Sequence, residues 1–146
     1  MATFDPWGEA RALGLHLRSP GAELMVVIGA EAWCRKCQRL RPAFEALCAT
    51  AMPSHVAWMW LDLEEHADFL SGFIPPDLPL LLRWREGICV QAATVVDIDP
   101  NATPYDRVRL NSLTLQEGRL MDPHQGELVE LPRLWSEFSV ADWAKG

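Results

Sequence analysis

The strongest chemical signal in this chain is the string Trp33-Cys34-Arg35-Lys36-Cys37. Two cysteines three residues apart at the start of a helix have a specific use. The first sulfur sits beyond the helix N-terminus, where unpaired backbone N–H groups and the helix dipole favour a thiolate. The second lies one turn inside, within reach of a mixed disulfide formed on the first. Cys34 is therefore expected to be the nucleophile and Cys37 the resolving thiol of a redox-active dithiol. Arg35 and Lys36 place two cations beside that sulfur and are expected to tune its acidity. A stabilised thiolate also stabilises the reduced form, so the couple is expected to be more oxidising than one with neutral intervening residues.

The alternatives are a zinc half-site or two ordinary buried cysteines. A zinc site needs a second pair of ligands at compatible spacing. Cys48, Cys89, His16, His55, His66 and His124 are all single, and the sequence has no second C-x-x-C and no H-x-x-x-H. No metal and no cofactor is expected. Cys48 falls on an apolar helical stripe and Cys89 in a hydrophobic strand, so both read as core filling. His66 lies among acids and reads as a solvated surface residue. The seven tryptophans read mostly as core, with Trp33, Trp58, Trp60 and Trp84 also able to line a surface beside the cysteines.

The elements that must position the pair follow from the pattern around it. Residues 5–18 read as a first helix, with Pro6 in its first turn and Trp7, Ala10, Leu13 and Leu17 at helical spacing. Leu24–Ile28 is a continuous apolar run, as in a strand covered on both faces. From Cys34 to about Thr50 the period becomes helical, with Leu40, Phe44, Leu47 and Cys48 on one stripe and Pro42 inside the helix. Val56–Leu63 is a second buried strand, and Glu64–Phe73 a short helix. The rigid loop from Ile74 to Pro79 feeds a strand, Leu80–Trp84, which turns at Arg85-Glu86-Gly87 into Ile88–Val96. That order implies a mixed sheet with helices on both faces.

Beyond Val96 two readings stay open. Thr103-Pro104-Tyr105-Asp106 carries helix-start signals. Val108, Leu110, Leu113 and Leu115 suit strands instead, with Glu117-Gly118 turning a hairpin. Leu131–Ala144 reads as a closing helix.

In combination these features resemble the thioredoxin family: apolar strand, WCRKC, helix with a proline five residues after the second cysteine, strand, short helix, X-Pro, strand, glycine turn, strand. The Arg-Lys pair resembles that of the WCRKC-type thioredoxins of plants. The match covers about Leu24 to Val95, roughly half of the chain. The resemblance implies an α/β, thioredoxin-like fold with a central mixed β-sheet flanked by helices and an extended C-terminal region. One domain, residues 1–146, is expected, with a core at about 22–96 and an extension or insertion at about 97–146. It also implies that Pro79 is the family's cis-proline, 45 residues after Cys34, that the Leu78 backbone pairs with a substrate strand, and that Trp33 covers the active site. Three positions depart from the family pattern. Ile28 stands where a buried Asp assists the resolving cysteine, Trp60 or a neighbour replaces the usual Lys, and Gly-Pro is absent between the cysteines.

A net charge of −7 and a pI near 5.0 disfavour nucleic acid, which needs clustered cations. Arg35, Lys36, Arg39 and Arg41 gather around the cysteines against that global sign. No apolar run approaches the roughly 20 residues that span a bilayer, and the first residues carry no basic, apolar leader. A cytoplasmic protein is expected, in which free thiols or a catalytic pair outnumber structural disulfides. The expected activity is thiol–disulfide exchange with protein disulfides, regenerated by an unidentified thiol reductant. The alternative is a binding or assembly module of the same fold with little reductase activity, and metal delivery through the pair is a third, weaker reading.

Overall fold

A computed structural model of the chain describes residues 4–49, 55–103 and 107–140. Its elements run α1 (Ala10–Leu17), β1 (Glu23–Gly29), α2 (Arg35–Cys48), β2 (Val56–Asp62), α3 (Ala67–Leu70), β3 (Leu80–Arg85) and β4 (Ile88–Ile98). Four short strands and a helix follow: β5 (Val108–Leu113), β6 (Leu115–Gln116), β7 (Arg119–Met121), β8 (Leu128–Glu130) and α4 (Leu134–Val140). Strands pair in the order β2-β1-β3-β4-β5, with β6-β7-β8 forming a separate small sheet.

The continuous apolar runs do what such runs must, and lie in the middle of the molecule. β1 pairs parallel with β2 and antiparallel with β3, so the crossover through α2 holds the cysteine-bearing helix against the sheet. Alternation along β1 divides the core in two. Leu24, Val26 and Ile28 pack with Leu13 and Leu17 of α1 and Leu134 and Phe138 of α4. Val27, on the other face, packs with Cys37, Leu40, Phe44 and Leu47 of α2 and with Trp58 and Trp60 of β2. Every residue of β2 is buried although it is an edge strand. The Phe4 N–H donates to the Trp58 carbonyl at 2.8 Å, so the incoming segment covers part of that edge.

The β3–β4 hairpin turns on Glu86 and Gly87, both at positive φ (52° and 81°), the pair of left-handed residues that a tight two-residue hairpin needs. Glu117 and Gly118 repeat the device between β6 and β7.

Beyond Val96 the strand reading holds: Val108 to Leu113 adds a fifth strand to the main sheet. The helix start expected at Thr103 falls largely outside the described residues. The first helix begins at Ala10, later than Asp5, because residues 5–9 form a turn of their own. There the Asp5 carboxylate accepts the Gly8 N–H at 3.0 Å, and the Glu9 carboxylate accepts the Asp5 N–H at 2.9 Å. The closing helix starts at Leu134, with residues 141–146 outside the described part.

Candidate active site

β1 ends at Gly29, and the chain turns on the Ala30 carbonyl, which accepts the N–H of Cys34 at 2.8 Å and of Trp33 at 3.3 Å. That turn places Cys34 as the N-cap of α2. Its Sγ accepts the Cys37 N–H at 3.2 Å, the position a side-chain oxygen takes at an ordinary helix start. The sulfur thus meets one of the helix's otherwise unpaired donors and the positive end of its dipole. Cys34 is partly exposed, whereas Cys37 is fully buried, and neither is in a disulfide. Burial, together with the neighbouring Cys34 sulfur, pushes the Cys37 thiol up to about 12.

Cys37 lies so deep because Gly29 has no side chain. A Cβ on Gly29 would lie 3.3 Å from Cys37 Sγ and 2.5 Å from Trp60 Cζ2. Trp60 cannot retreat easily. Phe44 meets it edge-on at 5.5 Å between ring centroids, and the Arg41 guanidinium lies 5.3 Å from its ring centre.

The remaining expected site residues take different places. The Leu78–Pro79 peptide bond is cis, and the Pro79 carbonyl accepts the Val95 N–H at 2.9 Å. Leu78 is half-buried and packs against the same apolar cluster as Cys34. Trp33 is 61% exposed and joins neither buried cluster. Arg35 is exposed and Lys36 half-buried in the first turn of α2. Arg39 and Arg41 are turned to acids instead: Arg39 pairs with Asp97 at 3.2 Å, and Arg41 bridges Glu31 and Glu45. Trp58, Trp60 and Trp84 are core residues, 6%, 3% and 4% exposed, so of the four tryptophans considered for a binding surface only Trp33 is available.

Ile28 faces the cluster of α1 and α4, on the opposite side of the sheet from Cys37. The acid near Cys37 is Asp62, which the sequence reading passed over. The parallel register sets Asp62 beside Gly29, and its side chain is 6% exposed. One carboxylate oxygen accepts the Glu31 N–H at 2.8 Å; the other accepts the N–H groups of Glu64 and Glu65 at 3.0 and 3.2 Å. Burial would raise its pKa, but those three donors prevail and hold it below the usual carboxylate value. Asp62 thereby ties the loop leading to Cys34 to the turn after β2. Its negative charge also opposes ionisation of Cys37. The signal in the sequence was an acid ending an apolar strand just ahead of a short helical turn, where a carboxylate accepts backbone N–H groups.

His66 is 3% exposed, which corrects its reading as a surface residue. Its Nδ1 accepts the Asp62 N–H at 2.8 Å, which draws the ring inward, and burial lowers its pKa. Among the described residues no three His, Cys, Asp or Glu side chains gather as a metal site.

No family model matches the sequence, and no curated protein matches it. Among solved structures the chain is similar to a mutant thioredoxin from Halobacterium salinarum NRC-1, at 22% identity and a TM-score of 0.43. That likeness covers 58% of this chain and 71% of that one. It is also similar to human ERp44 in its zinc-bound form, at 21% identity and a TM-score of 0.44, over 62% of this chain and 26% of that one. The chain therefore spans about a quarter of ERp44's length. With strands in the order β2-β1-β3-β4, a C-x-x-C helix following β1 and a cis-proline opening β3, the fold is thioredoxin-like, and its cysteine pair fits thiol–disulfide chemistry in general.

Proposed function

We propose that the chain is a thiol–disulfide oxidoreductase that exchanges disulfides with protein substrates through Cys34 and Cys37. The observation that carries the proposal is the N-cap position of Cys34: a partly exposed sulfur accepts a helix N–H, with a second, buried thiol one turn behind it. The Cys34 thiolate attacks a substrate disulfide and forms a mixed disulfide, and the substrate's other sulfur leaves as a thiolate. Cys37 then loses its proton and attacks Cys34 Sγ. The products are an oxidised Cys34–Cys37 pair and a substrate dithiol: two electrons pass to the substrate, whose two thiolates take up the proton lost by Cys37 and one from water. A thiol reductant regenerates the pair. Arg35 and Lys36 support the thiolate, and Trp33, Leu78 and Pro79 receive the substrate beside it. A cytoplasmic setting belongs to the same proposal, supported by cysteines that form no disulfide framework.

The second step is the demanding one. Cys37 has a thiol raised to about 12, and the nearby carboxylate of Asp62 is already engaged by three N–H groups. Slow resolution favours exchange with selected partners over rapid general reduction. The same observation, with the exposure of Trp33 and Ile74, supports a second reading as a binding or assembly module with little reductase activity.

Reduction of insulin by dithiothreitol, compared between wild type and Cys34→Ser, separates the two. The enzyme reading expects the variant to fall to the uncatalysed rate, and equal rates for the two proteins overturn it. Cys37→Ser is expected to accumulate the mixed disulfide.

A further inference from the structure

Given the exchange chemistry proposed above, we infer that Arg35 and Lys36 select its substrates: the protein disulfides that react at Cys34 carry carboxylates within one or two residues of the attacked cysteine.

The cations of α2 are Arg35, Lys36, Arg39 and Arg41. Two of them are committed within the chain, Arg39 to Asp97 and Arg41 to Glu31 and Glu45. Arg35 and Lys36 stand between the cysteines in the first turn, and among the described residues neither joins an ion pair. Arg35 is exposed and Lys36 half-buried, beside a sulfur that is itself partly exposed. The acids around the site are engaged in their turn. Glu31 meets Arg41, Asp62 accepts three backbone N–H groups, and Asp77, next to Leu78, meets His124 at 2.9 Å. A substrate arriving at Cys34 therefore finds two uncommitted cations and the positive end of a helix.

The net charge of −7 opposes an acidic partner at long range. At contact the local cations prevail, because exposed charges more than about 10 Å apart are largely screened at 0.1 M salt. Extended chain advances about 3.3–3.6 Å per residue. Carboxylates one or two positions from the substrate cysteine thus come within reach of the two long stems. Arginine grips a carboxylate with two parallel donors, and lysine meets it as a point charge.

The test uses the full chain carrying Cys37→Ser, so that only the first step is read. The probes are three capped tripeptides with a central cysteine held as its 2-pyridyl disulfide, flanked by Glu, Gln or Lys. Cys34 Sγ attacks the peptide sulfur, the S–S bond breaks, and the leaving pyridinethiolate takes a proton from water to give the absorbing thione. Each rate is divided by that of 2-mercaptoethanol with the same peptide, which removes the intrinsic reactivity of the disulfide. The Glu peptide is expected to react about fivefold faster than the Gln peptide, as two exposed charge pairs allow, and the Lys peptide slower than both. The spread should narrow toward 1 M salt, where screening acts over about 3 Å. Arg35→Gln with Lys36→Gln should bring the Glu-to-Gln ratio to about one, a ratio in which any change in the Cys34 thiolate fraction cancels. Arg11→Gln with Arg18→Gln makes the same change in net charge at α1, on the opposite face of the sheet, and should leave the ratio intact. Equal rates for the three peptides at a reactive Cys34 overturn the substrate class and leave the exchange reading standing. A ratio that falls equally in the α1 variant also overturns it, since net charge then decides. Thione release that persists unchanged in Cys34→Ser overturns both.

Discussion

Replacing Asp62 with alanine removes the acceptor for three backbone N–H groups, at 2.8, 3.0 and 3.2 Å. A hydrogen bond to a charged group contributes about 1.5–3 kcal/mol. Glu64 and Glu65 are exposed, and their N–H groups regain water in the variant. The N–H of Glu31 is in a half-buried loop and recovers less, so the net loss is about 3 kcal/mol, dominated by that bond. With a urea m-value of about 2 kcal/mol/M for a domain of this size, the midpoint should fall by about 1.5 M at unchanged slope. Asp62→Asn keeps one acceptor oxygen and should fall between the two. A thiol measurement in the folded state, without denaturant, should move the other way. Removal of the carboxylate charge lets Cys37 ionise more readily, so its alkylation by iodoacetamide should begin at lower pH than in the wild type. A stability loss below about 0.5 kcal/mol, the scatter expected for an inert surface substitution, would falsify the assignment of Asp62 as the tie between the two loops.

Gly29→Ala forces a methyl against Cys37 and against Trp60, which Phe44 and Arg41 hold in place, and should destabilise the chain by about 1–3 kcal/mol in the same urea assay; wild-type stability would refute the close packing. In the native protein, iodoacetamide at neutral pH should label Cys34 and spare Cys37, a pattern that mass spectrometry resolves; equal labelling would contradict the burial of Cys37. Arg35→Gly and Lys36→Gly together should slow alkylation of Cys34 at neutral pH, and an unchanged rate would remove the cations from the mechanism. The stability of the fold should decline with acid in two stages. The His66 pKa is lowered in the folded state, so protonation favours unfolding as pH falls below the ring's ordinary value of 6.5. Glu23, buried between Arg83 and Arg85, has a pKa lowered chiefly by its hydrogen bond to Arg83. Its stabilisation is present above its ordinary value of 4.5 and lost as pH falls toward the folded pKa, a stage that Glu23→Gln should abolish in acid titrations of stability.

The cysteine pair and Pro79 were legible because each rests on a local pattern: two thiols one helical turn apart, and a proline directly before an apolar strand. Asp62 and His66 were not. Asp62 comes to Gly29 through pairing of strands 33 residues apart, and a run of acids around His66 reads as surface until that pairing draws its ring inward. The same limit applies to the tryptophans of β2. Composition places them in core or surface alike, and only the packing of α2 decides. Beyond Val96, Glu117-Gly118 turns a hairpin by backbone conformation alone, and the spaced apolar residues from Val108 to Leu113 were legible as a strand that β4 pairs.

His124, in the loop between β7 and β8, meets Asp77 at 2.9 Å, two residues before Pro79. Nearby, Leu120, Leu134 and Phe138 are fully enclosed in the core beneath β1. The segment advertising the chemistry, about residues 22–96, therefore lacks part of its own foundation and one tether of its rim. A fragment cut to that segment would carry both cysteines and the proline while leaving an apolar sheet face uncovered. For this chain the smallest unit worth expressing is longer than the motif by which it is recognised.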